Sequence, residues 1–203
     1  PKAAEVVLAA GQSRRMGEQN KLTAELAGAA MVRRSVEAIV QSDASPVVVV
    51  TGFEPEKVQQ ALAGMDVRYA HNPRYADGLS TSLGAGLDAI EGELDAVVVC
   101  LADMPLIQPD VINRLLAAYD PLEGREICVP TWSGKRGNPV LFDKRFFVEM
   151  RAVKGDVGAR HLLGENEDSI CEVPVQAHAV LEDVDSPADL ARMRELFEEA
   201  ADR

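Results

Sequence analysis

Four short apolar runs rich in valine, Ala4–Ala10, Pro46–Thr51, Val67–His71 and Asp95–Leu101, are separated by stretches of helical length and periodicity. Runs of this kind, with little polar alternation, read as strands covered on both faces, the pattern of a parallel sheet. The stretches between them supply the cover. Met31–Gln41 places Val32, Val36, Ile39 and Val40 on one face, Asp110–Tyr119 does the same with Val111, Ile112, Leu115 and Leu116, and Pro55–Ala63 and Leu79–Ile90 follow later strands. Strand and helix alternate, so the chain is expected to fold as an α/β protein of right-handed βαβ units.

Beyond Pro121 the rhythm loosens. Glu126–Val129 and Pro139–Phe142 read as strands, Lys144–Arg151 and Val157–Leu163 as helices, and Ile170–Val175 and Ala179–Val184 as late strands. Pro187–Ala200 closes the chain as a helix, with Ser186 as its N-cap and proline at the first helical position. No linker rich in Gly, Ser or Pro divides the halves and no segment repeats another. Residues 1–203 are therefore expected to form one domain, the second half elaborating the same sheet.

With 203 residues, 47 % of them hydrophobic and 27 % charged, the chain has the composition of a globular protein; collagen-like, coiled-coil and low-complexity readings are excluded. Thirty-three acidic against 21 basic residues leave a formal charge of −12. That field repels phosphate polymers and anionic lipid, and no segregated basic face offsets it, so neither nucleic acid nor membrane is an expected partner. The apolar run at Val6–Ala10 is too short for a signal-peptide core and no run approaches a membrane span. Cys100, Cys128 and Cys171 sit in or beside apolar runs, as small buried hydrophobes do, and a reducing cytoplasm is the expected location.

In open α/β sheets ligands bind beyond the carboxyl ends of the strands, so the residues just after each strand are the ones to inspect. Val6–Leu8 leads into Ala9, Ala10, Gly11, Ser13, Arg15, Gly17 and then Lys21. Small residues admit a ligand close to the backbone, and Arg15 with Lys21 supply the positive charge a triphosphate needs. The loop is neither a Walker A sequence nor a Gly-x-Gly-x-x-Gly fingerprint. Asp103 follows the apolar strand at Val97–Leu101, where a carboxylate can bridge a hard cation to phosphate oxygens or simply cap a turn before Pro105. Asp183 and Asp185 project to one side of an extended segment and either could join Asp103 on a metal; Asp185 is favoured as nearer the sheet edge. Asp189 reads as a helix-start acid. Gly78, Ser80 and Ser82, with Thr81, open a helix, where they can hold ribose or phosphate oxygens or cap the helix.

The string Leu8-Ala9-Ala10-Gly11-x-Ser13-x-Arg15-Met16-Gly17-x-x-x-Lys21-Leu22 resembles the signature loop of the nucleotidyltransferases that make molybdenum cofactor dinucleotides, in particular the molybdenum cofactor cytidylyltransferase family. Leu101-Ala102-Asp103-Met104-Pro105, Asp183-Val184-Asp185-Ser186-Pro187-Ala188-Asp189-Leu190, the cluster from Asn72 to Ser82, Arg136-Gly137-Asn138-Pro139 and Gly155-Asp156-Val157-Gly158-Ala159-Arg160 are similar to further family segments, in the family's order. The resemblance implies a Rossmann-like three-layer α/β/α nucleotidyltransferase fold with a mostly parallel sheet. It implies a nucleoside triphosphate over residues 8–11, 13, 15 and 21, a magnesium ion, with manganese as the alternative, on Asp103 and Asp185 or Asp183, and catalytic roles for Arg15, Lys21 and Asp103. Ala10, where the guanylyltransferase branch has glycine, favours CTP.

The same resemblance gives Arg136, Gly137, Asn138, Pro139 and Asp156 to the pocket of the second substrate, a phosphorylated pterin; Asp156 can equally cap a helix. Asn138 departs from the family's histidine, and an amide cannot titrate, which opens the identity of the acceptor. The implied reaction is cytidylyl transfer from CTP to molybdopterin with release of pyrophosphate, the product passing to a molybdoenzyme client. Two other readings stand beside it: the same chemistry on a sugar or polyol phosphate, and a cofactor-handling or insertion factor without turnover. A dehydrogenase is disfavoured by the missing dinucleotide fingerprint. His71, Trp132, His161 and His178 show no spacing suited to a metal or a triad.

Overall fold

The computed structural model of the protein describes residues 1–11, 16, 20–90, 92–154 and 159–203. Strands β1 (Ala3–Ala9), β4 (Val47–Thr51), β5 (Arg68–His71) and β6 (Ala96–Leu101) form a parallel half-sheet with β1 between β4 and β6. β7 (Ile127–Trp132), β9 (Val140–Asp143) and β10 (Ile170–Pro174) extend it, giving the order β10-β7-β9-β6-β1-β4-β5. β9 runs antiparallel to both β6 and β7, while β10 is parallel to β7. The sheet is thus mostly parallel, with one reversed strand at the join of its halves.

Period-two alternation divides the strand residues between two apolar layers. Ala3, Val7, Ala9, Val49, Val98 and Cys100 face α1 (Met31–Val40), α2 (Pro55–Ala61) and α4 (Pro109–Ala118) through Val36, Val58 and Ile112. Val6, Leu8, Val48, Val50, Val97 and Phe142 face α3 (Leu79–Asp88), α5 (Phe147–Ala152) and α6 (Arg160–Glu165) through Leu83, Met150 and Leu162. Helices on both faces make the three-layer α/β/α arrangement. Gly86 lets α3 lie directly on the sheet: a Cβ there would come within 2.5 Å of Val6 Cγ1.

α7 (Pro187–Ala201) stands apart from these layers. Its Leu190 and Met193 pack on Met16, Leu26, Met31 and Val184, clamping Met16 and the β2 (Glu25–Leu26) and β3 (Ala29–Ala30) ribbon against the chain that enters α7. The Ser186 Oγ accepts from Asp189 N–H at 3.2 Å while Asp189 Oδ2 accepts from Ser186 N–H at 3.1 Å, a closed capping box. Asp185 N–H, which donates to Asp189 Oδ2 at 3.0 Å, holds the Asp189 carboxyl below the usual range, and the Ser186 hydroxyl and N–H add to the shift.

One expected strand is absent among the described residues. Instead of a strand over Ala179–Val184, His178–Leu181 is a 3-10 turn, Glu182 is extended, and residues 182–185 belong to no strand. The reason is position: this segment crosses the sheet's carboxyl edge, where it meets single groups rather than a parallel neighbour. Val180 C=O accepts from Asn138 N–H at 2.9 Å, and Val184 N–H donates to Asp103 C=O at 3.0 Å. The expected helix over Val157–Leu163 begins at Arg160, with residues 157–158 outside the described set. The two-residue ribbons, β2–β3 and β8 (Lys135–Arg136), are too short to leave a periodic signal. Among the described residues no helix is long and apolar enough to cross a membrane.

Candidate active site at the carboxyl edge of the sheet

β1 delivers Ala10 to the sheet edge, where its C=O accepts from Phe53 N–H at 3.2 Å and its side chain is buried. Gly11 is exposed, and a Cβ added there would meet none of the described residues within 4 Å. Ser13 and Arg15 lie outside the described residues. The chain returns at Asn20, a buried side chain whose Oδ1 accepts from Leu22 N–H at 3.0 Å and whose Nδ2 donates to Glu54 Oε1 at 3.2 Å. Asn20 thereby caps the 3-10 turn Lys21–Thr23 and ties it to the entrance of α2.

Lys21 points from this turn across the top of the sheet. Its Nζ donates to Asp103 Oδ2 at 2.8 Å and to Val184 C=O at 2.8 Å, and lies 3.6 Å from Asp185 Oδ1. Three parts of the chain therefore converge on one ammonium. Asp103 occupies the turn after β6, which is held down because Ala102 N–H donates to Leu8 C=O at 3.2 Å and Ser35 Oγ donates to Ala102 C=O at 2.7 Å.

Asp103, Asp183 and Asp185 each bring one carboxylate oxygen to a common point, all within 4.8 Å of one another. Burial raises the Asp103 carboxyl above its ordinary range, the Lys21 ammonium opposes that shift, and the Asp185 charge adds to it. Desolvation of its carboxyl, a hydrogen bond with Asp185 and the charges of Asp103 and Asp185 push Asp183 up to about 6. Like charges this close resist simultaneous ionisation unless a cation joins them. Asp103 Oδ1 is buried and has no hydrogen-bond partner among the described residues. An orphaned carboxylate oxygen beside two further carboxylates is the donor set of a hard divalent cation, so the residues fit one.

The other candidates divide between this edge and its flanks. Gly78 has φ +119°, a backbone conformation that L side chains rarely adopt, and opens α3. Ser80 and Ser82 are buried, and Ser82 Oγ accepts from Asn72 Nδ2 at 3.0 Å. Asn72 also donates to Thr81 Oγ1 at 2.8 Å and accepts from Arg74 N–H at 2.9 Å, so it organises the turn. A cavity of about 780 Å³ lined by Asn72, Arg74, Ser80, Thr81, Arg151 and Lys154 borders this turn; Lys21 and the three aspartates do not line it.

In the loop after β8, Gly137 lies so close to the Val180 backbone that a Cβ would fall 2.7 Å from its carbonyl carbon. The buried Pro139 and the Asn138 backbone are fixed with it. The Arg136 guanidinium faces away into carboxylates, donating to Glu167 at 2.9 and 2.8 Å and to Glu172 at 3.1 Å. Asp156 lies outside the described residues. Asn20, Ser35 and the Val184 carbonyl went unnoticed in the sequence. Of these Asn20 alone carries a local signal, a capping residue just before a cation.

The profile of the MobA-like NTP transferase domain matches residues 5–170. The chain belongs to this family. Membership makes it a nucleotidyltransferase, an enzyme acting on nucleoside triphosphates, and the matched span includes Lys21, Asp103 and Gly137 while Asp183 and Asp185 lie beyond it. Among curated relatives, the purine catabolism protein PucB of Bacillus subtilis is 29 % identical over 199 residues, covering 93 % of this chain and 94 % of that one. The molybdenum cofactor cytidylyltransferase of Escherichia coli is 25 % identical over 197 residues, covering 96 % of each. Among solved structures, Rv0371c of Mycobacterium tuberculosis in complex with manganese superposes with a TM-score of 0.78 at 23 % identity, over 96 % of this chain and 98 % of that one.

Proposed function

We propose that the enzyme transfers a cytidylyl group from CTP to the phosphate of molybdopterin and releases pyrophosphate. The observation that carries this reading is the buried, unpartnered Asp103 oxygen beside Lys21 and two further carboxylates at the edge of the sheet. The acceptor phosphate is already an anion at neutral pH, so no strong general base is required. The main obstacle is repulsion between two anions on a chain that itself carries −12.

Lys21 meets that obstacle. An ammonium has three donors, and two are taken by Asp103 and Val184, which hold the group in place and leave one N–H for a phosphate oxygen. Arg15 adds a second cation, and the backbone and small side chains from Leu8 through Gly11, with Ser13, take the nucleotide at close range. Gly78, Ser80 and Ser82 stand as second-rank contacts to ribose or phosphate. Asp103 and Asp185, with Asp183 beside them, would hold magnesium or manganese. A bound divalent ion supplies charge neutralisation and alignment of phosphate oxygens. Fixing the reactants and offsetting the charge that develops are together the catalysis expected of such a site.

The support for CTP is Ala10 at the position that separates the two family branches, and the 25 % identity to a cytidylyltransferase over nearly the whole chain. The acceptor is proposed to sit against Gly137, Asn138 and Pro139, with Asp156 and Arg136 at its margin. Arg136 has to exchange a glutamate for the acceptor if it is to bind phosphate. A second reading, transfer to a sugar or polyol phosphate, is favoured by Asn138, which stands where the family has histidine. The whole chain is proposed to act as one domain in the cytoplasm, in keeping with three cysteines that are free thiols in the structure, handing the product to a molybdoenzyme.

Pyrophosphate release measured with CTP, GTP and ATP, each with and without molybdenum cofactor, tests the reading. Release with CTP that depends on the cofactor is expected. Release with CTP on sugar phosphates alone would transfer the activity to the second reading, and CTP binding without any release would leave a cofactor-handling role.

A further inference from the structure

β10 is the edge strand of the sheet, and its one ladder partner among the described residues is β7. In that ladder Cys171 stands directly opposite Cys128. Both side chains belong to the same apolar layer, Cys128 within the buried cluster and Cys171 packed against it and partly open to solvent. Directly paired residues on neighbouring strands are separated by about 4.8 Å, inside the Cα separation of roughly 4.4–6.8 Å that a disulfide spans.

We propose that Cys128 and Cys171 form an oxidisable dithiol that closes to a disulfide between β7 and β10. Cβ atoms of a flat in-register pair stand somewhat farther apart than a relaxed disulfide prefers, so closure requires a small shift. An edge strand, held by one ladder, is the element free to make it. The residual strain makes such a bond easily reduced, which suits a reversible modification rather than a permanent staple.

The two sulfurs have different parts. Burial first, and the neighbouring Cys171 thiol second, push the Cys128 thiol up to about 12, so it stays protonated while the more accessible Cys171 meets an oxidant. With a low-molecular-weight disulfide, the Cys171 thiolate attacks one sulfur, its S–S bond breaks and one small thiolate leaves. Cys128 then gives its proton to that thiolate and attacks Cys171 Sγ, breaking the mixed disulfide and expelling the second small thiolate, which takes up the proton Cys171 released to solvent. Two protein thiols are oxidised and one small disulfide is reduced to two thiols.

The test is to treat the folded protein with oxidised glutathione and follow its intact mass, its alkylatable thiols and its peptide map. The expected product is a monomer lighter by two hydrogens, with one alkylatable thiol left, at Cys100, and a peptide linking Cys128 to Cys171. Cys128→Ser should stop at a glutathione adduct on Cys171, because the resolving thiol is gone, and dithiothreitol should reverse both products. A stable glutathione adduct on Cys171 of the unaltered protein, a dimer linked through Cys171, or three thiols that stay alkylatable would each overturn the proposal.

Discussion

Glu5 sits at the centre of β1, fully buried, with Val47 of β4 on one side and Val98 of β6 on the other. Ser42 Oγ donates to its Oε1 at 2.6 Å, and its Oε2 has no partner among the described residues. Burial raises its carboxyl to about 8 from an ordinary 4.5, with the Ser42 hydrogen bond opposing the shift. The titratable group facing it is Cys100, whose thiol is itself held protonated by burial first and by the Glu5 charge second. At neutral pH the folded protein therefore keeps a proton on Glu5 that the unfolded chain releases.

The sign follows from linkage. Below 4.5 both states are protonated and the group has no effect on stability. Between 4.5 and about 8 the unfolded state is progressively favoured, and stability is lost as pH rises through that window. At about 1.4 kcal/mol per pH unit the loss reaches about 3 kcal/mol at pH 7 and about 4 kcal/mol at pH 8, where the folded group is itself half ionised. Glu5→Gln keeps the size of the side chain and removes the proton. Any cost of its unpartnered amide is the same at every pH. In urea unfolding at pH 5, 6, 7 and 8 the variant should gain on the parent by about 1.4 kcal/mol per unit. A difference between the two proteins that is the same at pH 5 and pH 8 would refute a protonated Glu5.

Other consequences can be checked with the same protein. Lys21→Ala should lower CTP-dependent turnover about a hundredfold or more, the scale of removing one partner of developing charge, and unchanged pyrophosphate release would remove Lys21 from the chemistry. Because Asp183 titrates near 6 and a protonated carboxyl cannot ligate, manganese affinity should rise from pH 5 to pH 7, and Asp183→Asn should weaken binding and flatten that rise; calorimetry reads both. Gly137→Ala should cost about 1–3 kcal/mol, read as a lower thermal midpoint, because the added methyl collides with the Val180 carbonyl and neither backbone has room to yield.

The alternation of buried strands and helices was readable along the first 120 residues because each run carries its own periodicity, and so was the capping of α7 by Ser186. That Asp103 stands at a strand end was legible by the same local logic, while Lys21, in a 3-10 turn, and Asp185, which follows no strand, drew notice only through the composition of their loops and the family resemblance. Ala179–Val184 misled because its apolar residues serve clusters at the sheet edge, Val180 under Trp132 and Val184 under α7, and burial without a ladder looks like a strand in sequence. Arg136, read as a cation facing an acceptor, is held by Glu167 and Glu172, which lie 31 and 36 residues away.

By itself, then, the order of residues determined the class of fold, the ends of most elements and which residue types stand at the carboxyl edge, since these depend on neighbours within a turn or a strand. Tertiary structure decided that β9 enters in reverse, that Cys128 faces Cys171, and that Lys21 reaches Asp103 across 82 residues and Val184 across 163. Those contacts depend on which strands become neighbours. That choice is made by packing two apolar layers at once, and no short window of sequence contains it.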